Sequence, residues 1–288
     1  MKKQLKNLTI KDNFMFAAVM LDEENCKGFL ERALQIQIDH VEVNTEKSIV
    51  YHPEYKGVRL DVYARDEYNT RYNVEMQVSA QSSLGLRSRY YQSQMDMEML
   101  LSGSEYAELP NSYVIFICDF DPFGAKKYKY TFSMECKETK KADLHDKRNI
   151  VFLSTEGRND TEVSEELVSF LKFVKADIKE SQKDFHDEYV RKLQEFIEHI
   201  KKNREMEEKH MLFEELLKEE RETGRQEGLQ QGESIGMINS LTMLLKNFGE
   251  IPENLQKRIS EEKNLETLTL WFQLAIHVNS LDEFISKM

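Results

Sequence analysis

Between Val58 and Ser79 the chain alternates apolar and polar residues on both sides of a short polar link, Asp66-Glu67-Tyr68-Asn69-Thr70. Successive side chains of a strand point to opposite faces, so this period of two fixes the register of one antiparallel hairpin. Paired about Tyr68, the hairpin places Leu60, Val62 and Ala64 on one face with Val74, Met76 and Val78. Asp61, Tyr63 and Arg65 fall on the other face with Asn73, Glu75 and Gln77. The first face is predicted to be core and the second a polar surface. Asp61 is opposed to Glu75, and directly opposed residues have Cβ atoms about 4.5–5.5 Å apart. Two carboxylates that close repel unless a cation lies between them.

A divalent, oxygen-seeking ion such as Mg²⁺ suits this pair, because it takes few protein carboxylates and keeps several waters. Such waters supply a nucleophile for phosphodiester hydrolysis. Asp61 and Glu75 are the candidate ligands, with the Met76 backbone carbonyl beside them. Gln77 points the same way as Glu75 and is placed to orient a water, although an amide cannot act as a general base. Spacing alone leaves the plainer alternative open: two solvated acids on the outer face of an amphipathic hairpin.

The flanking pattern extends the hairpin into a domain. Helical spacing from Lys11 to Leu34 predicts two helices broken near Asp22–Asn25, and the runs Val41–Tyr51, Val58–Arg65 and Tyr72–Ser79 predict strands. A helix is expected from Leu84 to Leu101, ending at Gly103, and a strand buried on both faces over Tyr113–Asp119. Asp121-Pro122-Phe123-Gly124 reads as a turn, Lys129–Met134 and Ile150–Leu153 as strands, and Glu162–Val174 as a helix. The order implies an α/β core around a mixed sheet. After Asp184 the strand signal stops, and Phe185–Leu217 reads as one long helix. The expected division is a domain over 1–180, a helical linker over 181–236 and a small helical domain over 237–288 built around Trp271.

Within the linker Gly224, Gly228, Gly232 and Gly236 stand four apart. Each costs a helix about 0.8–1.0 kcal/mol against alanine. The offsetting gain is either close helix approach or simple flexibility, and the sequence leaves both open. Self-association through this C-terminal half is the expected partner mode.

Charge and cysteine usage bound the rest. The 288 residues carry a formal charge of −12, which argues against non-specific DNA binding by net charge but leaves room for an acidic metal site. Cys26, Cys118 and Cys136 form no C-x-x-C pair, so reduced thiols in a cytoplasmic protein are expected. No apolar run is long enough to span a bilayer, so no membrane association is expected. The seven histidines are scattered, and no nucleotide-binding glycine loop or H-E-x-x-H is present.

Several stretches together resemble a known family. They are Lys11-Asp12-Asn13-Phe14-Met15-Phe16, Glu24-Asn25, Val41-Glu42-Val43, Arg59-Leu60-Asp61-Val62-Tyr63-Ala64 and Asn73-Val74-Glu75-Met76-Gln77. Arg87-Ser88-Arg89-Tyr90-Tyr91 and Gly103-Ser104-Glu105-Tyr106 complete the set. In this order they resemble the recombination-promoting nuclease and transposase family of the PD-(D/E)xK superfamily, over roughly residues 8–175. The resemblance implies a restriction-endonuclease-like mixed-sheet core followed by an all-α C-terminal region. It also implies Mg²⁺- or Mn²⁺-dependent DNA cleavage, with Asp61 and Glu75 as the acids and Gln77 where most of the superfamily has lysine. Arg87, Tyr91 and Arg89 are implied to contact DNA, and Asp12 to approach the metal. Arg59, Arg65, Arg87 and Arg89 are the candidates to replace the lysine charge. The rival implication is a non-catalytic DNA- or partner-binding regulator on a degenerate nuclease fold.

Overall fold

The computed structural model describes residues 3–49 and 58–288. Helices α1 (Asn13–Met20) and α2 (Glu23–Leu34) come first, broken at Asp22, whose carboxylate accepts the Asn25 N–H and so caps α2. A six-stranded mixed sheet follows, with strands β1 (Val41–Ile49), β2 (Val58–Asp66), β3 (Arg71–Gln77), β4 (Ser112–Cys118), β5 (Lys129–Phe132) and β6 (Arg148–Ser154). Their spatial order is β1-β2-β3-β4-β6-β5. The first three form an antiparallel meander, β3, β4 and β6 are parallel, and β5 returns antiparallel along β6. Residues 50 and 51, which the sequence assigned to the first strand, lie outside the described residues.

Asp66 closes the β2–β3 turn. Buried itself, it accepts the N–H groups of Tyr68 and Thr70 and the Tyr72 hydroxyl, which lets Asn69 take a positive φ of 63°. The register sums to the pairing predicted about Tyr68, with Val62 opposite Val74 and Tyr63 opposite Asn73.

Both faces of the sheet are covered. On one, Val62, Ala64, Val74, Met76, Ile115 and Ile117 pack against α1, α2, α4 (Glu165–Lys175) and α5 (Glu188–Lys202). On the other, Tyr63, Val114, Phe116 and Phe152 pack beneath Leu84, Tyr91 and Met95 of α3 (Leu84–Met99). The face expected to be a polar surface is therefore buried: Asn73 and Glu75 are wholly inaccessible and Gln77 nearly so. The reason is tertiary, because α3 folds back over the strand that precedes it. Leu60, beyond the last paired residues of the ladder, packs with the α3 side rather than with Val62.

The single helix expected over Phe185–Leu217 is instead two. α5 ends at Lys202, and Asn203 accepts the N–H groups of Glu205 and Met206 to start α6 (Arg204–Lys246). The boundary expected near residue 180 moves as well, and the first compact unit runs to His210. α5 belongs to it because Tyr189, Val190, Leu193, Ile197 and Ile200 are core residues there. Tyr189 lies flat against Gly28 of α2 and donates its hydroxyl to the Asn25 carbonyl.

The second unit, Met211–Met288, has its own core. Leu241 and Leu245 of α6 meet Leu255 and Ile259 of α7 (Glu253–Glu261), Leu268 and Trp271 of α8 (Leu265–His277), and Phe284 of α9 (Leu281–Lys287). Gly224, Gly228, Gly232 and Gly236 all lie within α6, with open space where each Cβ would stand. No described helix is long and apolar enough to cross a membrane.

Thiol chemistry reads out this burial. Cys26 and Cys118 are buried, and burial pushes both thiols up to about 12, whereas Cys136 is only partly covered. One thiol is expected to react with an aromatic disulfide reagent at pH 8 before unfolding, and three in denaturant. Rapid reaction of a second thiol in the native protein would contradict the described packing.

Candidate active site

The site forms where the β2–β3 ladder ends. Past the Val62–Val74 pair the strands stop exchanging backbone hydrogen bonds, and side chains take over. Glu75 Oε1 accepts the Asp61 N–H at 3.2 Å, and Asp61 Oδ2 accepts the Met76 N–H at 3.1 Å. Each acid thus satisfies a backbone donor of the opposite strand, which keeps the strands together and fixes both carboxylates. Met76 meets Asp61 through its N–H; the structure gives its carbonyl no part in that contact.

Helix α3 completes the site from above. Arg87, on its first turn, donates Nη2 to Glu75 Oε2, Nη1 to Gln77 Oε1 at 2.8 Å and Nε to the Tyr91 hydroxyl at 2.7 Å. Its guanidinium also stands 5.0 Å from the Tyr91 ring centroid and 5.4 Å from that of Phe116. Gln77 donates its amide to the Ser79 carbonyl, so both ends of that side chain are held. One arginine therefore ties the acid, the amide and the tyrosine into a single rigid unit.

The electrostatics are strained on one side and relieved on the other. Burial first, and the Asp61 charge second, push the Glu75 carboxyl up to about 8, while Arg87 pulls it down. Burial also pushes the Tyr91 hydroxyl up to about 12, so it stays protonated at neutral pH. Asn73, two residues before Glu75 and wholly buried, has no hydrogen-bond partner for either amide atom among the described residues. Its amide is still close enough to favour the charged form of Glu75.

The donor chemistry fits a hard divalent cation. Two carboxylates at one ladder end, one of them destabilised by the other, match the protein share of a Mg²⁺ site, where water and substrate supply the remaining oxygens. Among the described residues no three His, Cys, Asp or Glu side chains gather around a common point.

The other sequence-derived residues lie elsewhere or differently. The Asp12 carboxylate accepts the Thr9 N–H and pairs with Lys3, and is not joined to Asp61 or Glu75 by any described bond. Arg89 is exposed on α3. Arg65 pairs with Glu42 at the surface, and the Arg59 side chain is outside the described residues. The resemblance gave Arg87 a DNA contact and a candidacy to replace the lysine charge, but not its clamp on Glu75 and Gln77. A signal was present: Leu84, Ser88, Tyr91 and Met95 recur at helical spacing and are all buried, which marks a helix face that must cover something.

Residues 11–231 match the family described as PD-(D/E)XK nuclease family transposase. The chain belongs to that family. The match takes in the whole sheet, the site and α6 as far as Gln231, and agrees with the mixed α/β core. No curated protein and no solved structure gives a match.

Proposed function

We propose that this protein is a metal-dependent DNA endonuclease acting in the cytoplasm, in recombination or transposition. It hydrolyses phosphodiester bonds, with Asp61 and Glu75 as ligands for Mg²⁺ or Mn²⁺. The observation that carries this reading is the reciprocal capping of β2 and β3 by these two acids. Structural carboxylates are seldom placed so that one raises the other's pKa in a buried setting, and such perturbed acids cluster at functional sites.

A bound divalent ion supplies an activated water and positive charge against developing phosphate oxygens. The chain's own residues do the rest. Asp61 and Glu75 would hold the ion, and backbone N–H groups and Arg87 restrict the rotamers of both acids. Gln77, held by Arg87, orients a water but takes no proton from it. Arg87 supplies the positive charge that most of the superfamily places on a lysine at the Gln77 position. Planar guanidinium also suits phosphate oxygens, so Arg87 exchanges part of its bonding to Glu75 for substrate.

The ion pair between Arg87 and Glu75 favours a second reading, a DNA-binding regulator whose acid is neutralised internally. Supercoiled plasmid separates the two. The nuclease reading expects nicked or linear product with Mg²⁺ or Mn²⁺ and none with EDTA. Inert protein that also binds no Mn²⁺ by calorimetry would make the regulator the better account.

A further inference from the structure

Glu75, Phe116, Phe152 and Tyr130 form one row across four strands, each directly in register with the next. Tyr130 is three strands from Glu75, about 14 Å at normal strand spacing. Phe116 and Phe152 stack at 5.2 Å, and Phe123 then stands edge-on to Phe152 at 5.0 Å and beside Phe132 at 5.0 Å. The row is buried at the acid end and open at the sheet edge, where Phe123 is 47% and Phe132 44% exposed.

The loop that carries Phe123 is built and held. Asp121 accepts the N–H groups of Phe123 and Lys126 and the Tyr130 hydroxyl. Gly124 and Lys126 take positive φ angles of 74° and 52°. A non-glycine residue in that region is strained, and such strain marks positions that the surroundings over-determine. The result puts a half-exposed aromatic ring and an exposed lysine on one short, fixed loop. Lys126 makes no side-chain ion pair among the described residues.

We infer that Phe123 and Phe132, with Lys126, form a stacking platform for the bases of an unpaired DNA strand at the open edge of the sheet that carries Asp61 and Glu75. The inference rests on the nuclease reading above and adds its substrate class: DNA with a single-stranded segment. Every base has a π face, so exposed rings beside a cation recognise single strands without regard to sequence. Bases paired inside a duplex keep their faces covered and gain nothing from such rings. An overhang or frayed end reaches both parts of the site at once.

The test measures binding in EDTA, so that no cleavage occurs, using full-length protein and fluorescein-labelled oligonucleotides by anisotropy. Phe123→Leu with Phe132→Leu keeps the apolar packing on Phe152 and removes the rings. That protein is expected to bind a single-stranded 20-mer about tenfold more weakly or worse. A blunt duplex should change by less than about twofold. Lys126→Gln should lower the salt dependence of single-strand binding by about one counterion. Circular dichroism and Tm check that each variant is folded. Wild-type protein that ignores single strands, or a double-leucine variant that binds them normally, overturns the platform. So does a wild-type dimer that the leucines dissociate at unchanged DNA affinity, since the rings then serve a second copy. If the rings govern strand binding but neither plasmid nor a duplex with a single-stranded overhang is cut with Mg²⁺, the platform stands and the nuclease reading fails.

Discussion

Asp61→Asn and Glu75→Gln are each expected to lose at least about a hundredfold in plasmid cleavage rate while remaining folded. The several kcal/mol that a bound metal contributes to charge stabilisation set that scale. Both replacements keep shape and one acceptor oxygen, so the Asp61 and Met76 N–H groups still find partners. Loss of activity then reports the missing charge, and at Glu75 the lost Arg87 bond as well, rather than a broken hairpin. The two variants should differ in one respect. Glu75 carries a raised carboxyl, at about 8 against 4.5 for an ordinary one. In metal-free protein its stability contribution therefore falls as pH rises from about 4.5 to about 8, then levels. Glu75→Gln lacks that fall, so its Tm relative to wild type should rise through the same window. Metal must displace the same proton, so Mn²⁺ affinity of wild type should strengthen with pH up to about 8 and flatten above. A pH-independent affinity, or variants that cut as fast as wild type, would remove Glu75 from the site.

A second large effect is expected at Gly157. A Cβ there would stand 2.3 Å from Tyr128 Cγ and 2.6 Å from its backbone nitrogen, and backbone cannot swing aside. Tyr128 is a core residue, and its carbonyl accepts the Ser154 N–H where β5 meets β6. Gly157→Ala should cost about 3 kcal/mol, the upper part of the usual overpacking range. That corresponds to a fall in Tm of roughly 6–12 °C for a unit of this size. Gly224→Ala in α6 is the opposite case. Its Cβ meets nothing within 4 Å, so the helix should gain about 0.8–1.0 kcal/mol. Equal effects at the two positions would mean that the close approach at Gly157 does not exist in solution.

Local periodicity determined much of this molecule. The period of two in 58–79 carried the β2–β3 register, because a one-residue slip would turn Val62, Ala64 and Val74 out of the core. The apolar run in β4 announced a strand buried on both faces, and Asp22 announced the break between α1 and α2. The pairing of Asp61 with Glu75 was legible for the same reason. Its setting was not. Alternation separates two faces but does not say what covers each, and only α3 folding back made the acid row an interior. Arg87 acts on Glu75 twelve residues away through that fold, which no local pattern encodes. The end of the first unit followed the same logic. An amphipathic helix shows in sequence that it needs a partner, but tertiary packing alone decided that α5 finds it against α1, α2 and α4. Sequence sets which side of an element must be hidden; long-range packing sets what hides it, and with it the charge and reach of the site.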